Sequence, residues 1–150
     1  MLVYKFDDKE VILTSEIISI FNSYRQLNSN QHESGGILLG RIYTEKIVIE
    51  TVSVPSFEDR SGRNYFERNV KKAQKIVNQL WEESGGEIVY LGEWHTHPEK
   101  DPIPSPTDRS LLNGMLRDTQ MDIDFLFLVI VGIQKYYVGY QIKGRSLQQL

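Results

Sequence analysis

Two histidines, His95 and His97, flank a single threonine in the stretch EWHTHPEKDPIPSPTD, which runs from Glu93 to Asp108. Neutral imidazole is a common zinc ligand, at about 2.0–2.1 Å from the ion. In an extended strand residues i and i+2 point to the same side, so the pair can aim at one point. A catalytic zinc takes three protein ligands and keeps a fourth position open for water. Asp108 is the candidate third ligand. The loop between carries Pro98, Pro102 and Pro104, and it loses less entropy when its far end is fixed near the histidines. Ser105-Pro106-Thr107-Asp108 also has a reading that needs no metal. Ser105 can cap a helix, Pro106 suits the first helical position, and Asp108 at the third complements the helix dipole. The two readings are compatible, because a helix N-terminus holds a side chain rigidly.

Metal-assisted hydrolysis also needs a carboxylate that takes a proton from the attacking water. Glu33 is the candidate, in Gln31-His32-Glu33-Ser34-Gly35-Gly36. The paired glycines let this backbone pass close to another element. A plain surface glutamate in a loop is the alternative. His32 is expected to be an exposed loop residue. Glu93 shares a strand face with His95, as a partner of that ligand or, preferably, as a salt-bridge residue.

The elements that must position these groups can be read from periodicity. Leu2–Phe6 and Glu10–Leu13 are β-prone around a turn at Asp7-Asp8-Lys9. Ile17, Ile20, Phe21, Tyr24 and Leu27 form an apolar stripe that predicts a helix from Ser15 to about Leu27, capped by Thr14, with Glu16 in its first turn. Ile37–Tyr43 and Lys46–Val54 read as a hairpin, followed by a polar loop from Pro55 to Gly62. Asn64 with Glu67 resembles a capping pair, and Phe66, Val70, Ala73, Val77, Leu80 and Trp81 then follow helical spacing until Ser84-Gly85-Gly86. A strand over Glu87–Trp94 leads into the histidines. A third helix is expected over about Pro106–Leu116, burying Leu111, Leu112, Met115 and Leu116, with Gly114 weakening it by about 1 kcal/mol. Ile123–Val131 is apolar on both faces, as a central strand must be. Gly132-Ile133-Gln134 turns into a last strand, Lys135–Ile142. The order ββα ββ α β α ββ predicts an α+β fold, an α/β sandwich with a mixed central sheet flanked by helices.

The chain of 150 residues suits one domain spanning 1–150. With 40% hydrophobic and 25% charged residues it has an ordinary globular composition. A net charge of -3 and the lack of a basic run give no indication of a nucleic-acid or anionic-membrane surface. There is no cysteine, so disulfides, thiolate metal sites and cysteine nucleophiles are excluded together. No long apolar leader segment opens the chain, and no apolar run approaches the ~20 residues of a membrane helix. A cytoplasmic location is expected.

Glu33, then His95-X-His97, seven residues, Ser105, two residues and Asp108 together resemble the JAMM motif of the MPN-domain metallopeptidases. The segment Glu-Ser-Gly-Gly-Ile-Leu-Leu-Gly is similar to the family's glutamate segment. The resemblance spans Gln31–Asp108 by motif and nearly the whole chain by element order. It implies one zinc ion held by His95, His97 and Asp108, with a water in the fourth position. It implies Glu33 as the proton shuttle and Ser105 as a donor to the oxyanion. Such enzymes cleave isopeptide or peptide bonds after the C-terminal tail of ubiquitin or a ubiquitin-like protein. The compact chain resembles stand-alone bacterial members. Some of these belong to antiphage operons of the CBASS type, with partners resembling ubiquitin-activating and ubiquitin-conjugating enzymes, and release a cGAS-like nucleotidyltransferase from its targets. Two other readings stay open: processing of a small ubiquitin-like sulfur carrier, and a non-catalytic MPN scaffold that binds partners. Ser56–Tyr65 falls where the family's first insertion helps bind the substrate tail. Arg117–Ile123 falls at the second insertion of eukaryotic relatives and is short here.

Overall fold

A computed structural model describes residues 1–150. The strands are β1 (Leu2–Phe6), β2 (Lys9–Leu13), β3 (Gly35–Ile42), β4 (Lys46–Val52), β5 (Arg60–Gly62), β6 (Tyr65–Glu67), β7 (Val89–Thr96), β8 (Phe125–Val131), β9 (Tyr136–Ile142) and β10 (Gln148–Gln149). The helices are α1 (Ser15–Ser23), α2 (Val70–Glu83) and α3 (Pro106–Asp118). Eight strands form one sheet in the order β1-β2-β4-β3-β7-β8-β9-β10, and β5 and β6 make a separate hairpin. The pairs β2–β4 and β7–β8 are parallel and the rest antiparallel. The expected α+β architecture around a mixed sheet is thus what the chain adopts.

Alternation along the strands explains the layers. Phe127, Val129 and Val131 point into a large core that α1 covers with Ile17 and Phe21, where Trp94 also lies. Leu128 and Ile130, one residue out of phase, point to the other face and meet Leu112 of α3. On that same second face Ile37 and Leu39 meet Ala73 of α2. A strand buried on both faces has to be continuously apolar, and β8 is.

Several local expectations give way to tertiary structure. The first helix stops at Ser23, with Tyr24 as its C-cap, and Leu27 is 66% exposed. Thr14 occupies the N-cap position, but its side chain makes no capping bond and its buried Oγ1 has no partner. Asn64 does not start the second helix. Gly62 pairs with Tyr65, so Arg63-Asn64 is a two-residue hairpin loop, and Phe66 lies on a strand. Asn serves turns and helix caps alike, because its short side chain bonds nearby backbone in both. The true cap of α2 is Asn69, whose side chain accepts from the Lys72 N–H at 2.8 Å. Leu111, expected to be buried, is 40% exposed, and Trp81, which follows the helical spacing of α2, is 55% exposed. Gly85, at φ 67°, supplies the left-handed turn that ends α2, as its glycine pair predicts.

The topology places two chain ends side by side. The strand β3 runs antiparallel to β7 with Gly35 opposite His95 and Gly36 opposite Trp94. The start of β3 therefore lies against the end of β7. The crossover from β7 to its parallel neighbour β8 passes through α3, whose N-terminus returns to that same end.

Candidate metal centre

The polar groups arrive from three parts of the chain: the end of β7, the segment ahead of β3 and the start of α3. His95 is the next-to-last residue of β7, and His97 follows the strand's end, its N–H bonded to Val131 O of β8 at 3.0 Å. Glu33 stands just ahead of β3, its N–H bonded to Gly62 O of the small hairpin at 2.8 Å. The glycines beside it are required by contact. A Cβ on Gly35 would come within 2.6 Å of Trp94 O, and one on Gly36 within 2.2 Å of Ser53 O. Asp108 sits in the first turn of α3. Ser105 Oγ accepts from Asp108 N–H at 3.1 Å, and Asp108 Oδ2 accepts from Ser105 N–H at 2.7 Å. This reciprocal capping box, with Pro106 behind it, locks the aspartate that faces the histidines.

Glu33, His95, His97 and Asp108 are all buried. Potential ligand atoms of Glu33, His95 and His97 lie within 4.8 Å of one another, close enough to hold one metal ion. Asp108 approaches both imidazoles, Oδ1 at 2.9 Å from His95 Nε2 and Oδ2 at 3.4 Å from His97 Nε2. The first contact is short but off the line of a hydrogen bond, so the buried His95 Nε2 has no hydrogen-bond partner. A buried polar atom without a partner is costly, and a cation between imidazole nitrogens and carboxylates would satisfy it. The donor set of two imidazoles and hard carboxylates, without a thiolate, fits a divalent metal. His97 is oriented from behind: its Nδ1 meets Glu99 Oε1 at 2.9 Å, which turns Nε2 toward the cluster.

The electrostatics follow from burial and proximity. Burial pushes the Glu33 carboxyl up to about 7, with His95 and His97 pulling it down and the carboxylates of Asp108 and Glu99 pushing it further up. Burial also opposes ionisation of Asp108, but the two imidazoles and the Ser105 N–H outweigh it and hold this carboxyl well below the usual range. His97 is raised: burial lowers it, and the contact with Asp108 and the charges of Glu33 and Glu99 more than reverse that.

The family model describing prokaryotic homologs of the JAB domain matches residues 23–143. The chain belongs to this family. It is 39% identical over 138 residues, 91% of this chain and 85% of the other, to a protein of Escherichia coli named CD-NTase/cGAS isopeptidase. A protein of the same name from Vibrio cholerae is 36% identical over 140 residues, 92% of this chain and 86% of the other. A solution structure of a Desulfitobacterium hafniense protein shares the fold, with a TM-score of 0.60 at 22% identity over 93% of this chain and 89% of that one.

All five polar positions singled out in the sequence meet at one place in this JAB domain. Asp108 touches the histidines, and Ser105 joins through its bonds to Asp108. His32 is apart: its Nδ1 lies 3.1 Å from Ser61 Oγ, at an exposed position. Glu93 forms a salt bridge, as expected, but a buried one, with Arg68 Nε at 2.6 Å and Tyr90 Oη also donating to it. Sequence reasoning missed Glu99, although its spacing of two from His97 was a usable signal. It also missed Gln26 and Thr96, which nothing in the sequence marks.

Proposed function

We propose that the chain is a zinc-dependent isopeptidase that cleaves after the C-terminal tail of a conjugated or ubiquitin-like protein. Its substrate is a cGAS-like nucleotidyltransferase joined to a target, and its setting is bacterial antiphage defence beside activating- and conjugating-like enzymes. The observation that carries this reading is the buried convergence of Glu33, His95, His97 and Asp108 in a chain more than a third identical to relatives named for that isopeptidase activity.

His95, His97 and Asp108 would hold the ion, leaving Glu33 free for proton transfer. Zinc, when bound, supplies Lewis acidity that eases water deprotonation near neutral pH and polarises the scissile carbonyl. Glu33 takes the proton of the attacking water onto its carboxylate and delivers it to the departing lysine amine. In the metal-free protein burial lifts this carboxyl to about 7, and a bound cation would favour its ionised form, the form that accepts the water's proton. Ser105 accepts a hydrogen bond at its helix cap with a lone pair. Its hydroxyl proton therefore remains available to the oxyanion of the tetrahedral intermediate. The β5–β6 hairpin, whose Gly62 O holds the Glu33 N–H, offers the substrate tail a strand edge.

The test is cleavage of an isopeptide conjugate between the nucleotidyltransferase tail and a lysine-bearing reporter. The zinc-loaded chain should release free nucleotidyltransferase, and Glu33→Ala should keep zinc yet cleave nothing. Intact conjugate and intact linear fusion after prolonged incubation with zinc-loaded protein would sink the proposal. Cleavage of a sulfur-carrier fusion alone would redirect it.

A further inference from the structure

We propose that Gln26 and Thr96 are a positioning pair that fixes the segment carrying Glu33 against the end of β7 and ties both to the β5–β6 hairpin. The inference rests on the reading of Glu33 as the base. Thr96, between the two histidines, is fully buried, and Gln26, past the end of α1, is 1% exposed. The Thr96 hydroxyl accepts from Ser34 N–H at 3.0 Å and donates to Gln26 Oε1 at 2.8 Å. The Thr96 N–H donates to Ser34 O at 2.8 Å. The Gln26 amide donates both ways, to Gln31 O at 3.2 Å and to Arg63 O at 3.0 Å.

Four stretches of chain are therefore joined through one hydroxyl and one amide: the exit of α1, the Glu33 segment, the hairpin turn and the strand of histidines. Glu33 lies inside the clamp. Gln31 O and both backbone polar groups of Ser34 are held by the pair, and Glu33 N–H is held by Gly62 O. Its carboxylate projects from backbone that cannot shift without breaking these bonds. A buried strand position favours an apolar β-branched residue, and a hydroxyl there costs free energy unless its bonds are made. Here both are made, and both serve the base's side of the site. None of the side-chain bonds of Gln26 or Thr96 involves the side chains of His95, His97 or Asp108. Loss of the pair should therefore displace the base and spare the metal set. Because Arg63 is in the hairpin turn, a shift of the hairpin reaches the base through Gln26.

Three measurements on the full chain test this: kcat and KM on the isopeptide conjugate, zinc affinity by competition with a chelating dye, and backbone hydrogen exchange across residues 31–35 without metal. Thr96→Val keeps the shape and deletes the hydroxyl. It should lower kcat about tenfold, with KM and zinc affinity within about twofold of wild type, and speed exchange at Ser34. Thr96→Ser, which restores the hydroxyl, should recover kcat and protection. Gln26→Leu should reproduce the kcat loss without touching the strand of histidines. Unchanged kcat and unchanged Ser34 exchange in Thr96→Val overturn the proposal. So does a loss of zinc affinity in step with kcat, which would make the pair a support for the ligands. An active Glu33→Ala variant would instead defeat the reading of the base, leaving the exchange result to decide the clamp.

Discussion

Glu33 combines burial with a charge, and that combination has a cost when no metal is bound. Its carboxyl is lifted from 4.5 to about 7, so between those values the folded state binds more protons than the unfolded one. The stabilisation is full below 4.5 and is lost as pH rises through about 7. Metal-free Glu33→Gln should therefore be more stable than wild type at about pH 8, by on the order of 3 kcal/mol, with the difference closing below pH 4.5. Urea unfolding across that range checks it, and parallel pH curves for the two proteins would contradict it. Glu99 acts through His97. Carboxylates that orient a ligand histidine are typically worth about 10–100-fold in metal affinity. Glu99→Gln should lower zinc affinity by that factor in a competition titration while leaving the thermal midpoint of the metal-free protein nearly unchanged, since Glu99 is 47% exposed at its side chain.

At the scale of elements, the root of the β5–β6 hairpin depends on Asp59. This carboxylate accepts from Lys72 Nζ, Ser56 N–H and Asn69 N–H, each at 2.8 Å. Burial opposes its ionisation, but Lys72 and the two N–H groups hold its pKa below 3.8. A depressed acid contributes stability above its unfolded value and loses it as pH falls through the folded one. The stability gap between wild type and Asp59→Asn should be constant above about pH 5 and shrink as pH falls below 3.8, in thermal scans at stepped pH. A gap that widens in acid would overturn the assignment. The cap of α3 gives a second element-scale expectation. Ser105→Ala removes the acceptor for Asp108 N–H and should cost ~1 kcal/mol of stability in denaturant unfolding, apart from any loss of turnover. Equal stability with unchanged kcat would remove both roles of Ser105.

At the scale of the whole molecule, the site hangs on the central strands β3, β7 and β8, so core damage and metal loss should report on each other. Leu128 is fully buried on β8, and Leu128→Ala should destabilise the chain by about 2–5 kcal/mol in urea unfolding. Excess zinc, binding only the folded state, should raise the midpoint of both proteins, as mass action requires. The fold class and most strands were legible in the sequence, because β8 is apolar on both faces and the flanking segments alternate. So was the capped start of α3, since Ser-Pro-X-Asp encodes its own geometry through bonds only three residues apart. The hairpin at 60–67 was not legible, because Asn64 suits a turn as well as a cap and only the pairing of Gly62 with Tyr65 decides between them. Nor were the exposed Trp81 and Leu111, whose helical spacing does not say how far the sheet extends beneath them. The residue types of the site, two imidazoles and two carboxylates with a serine, were determined by the sequence alone, because ligand chemistry is a property of side chains. Their convergence was decided by tertiary structure. The antiparallel register that sets Gly35 opposite His95 brings Glu33 across 62 residues of chain, and long-range register is fixed by the packing of both sheet faces at once, which no local stretch contains.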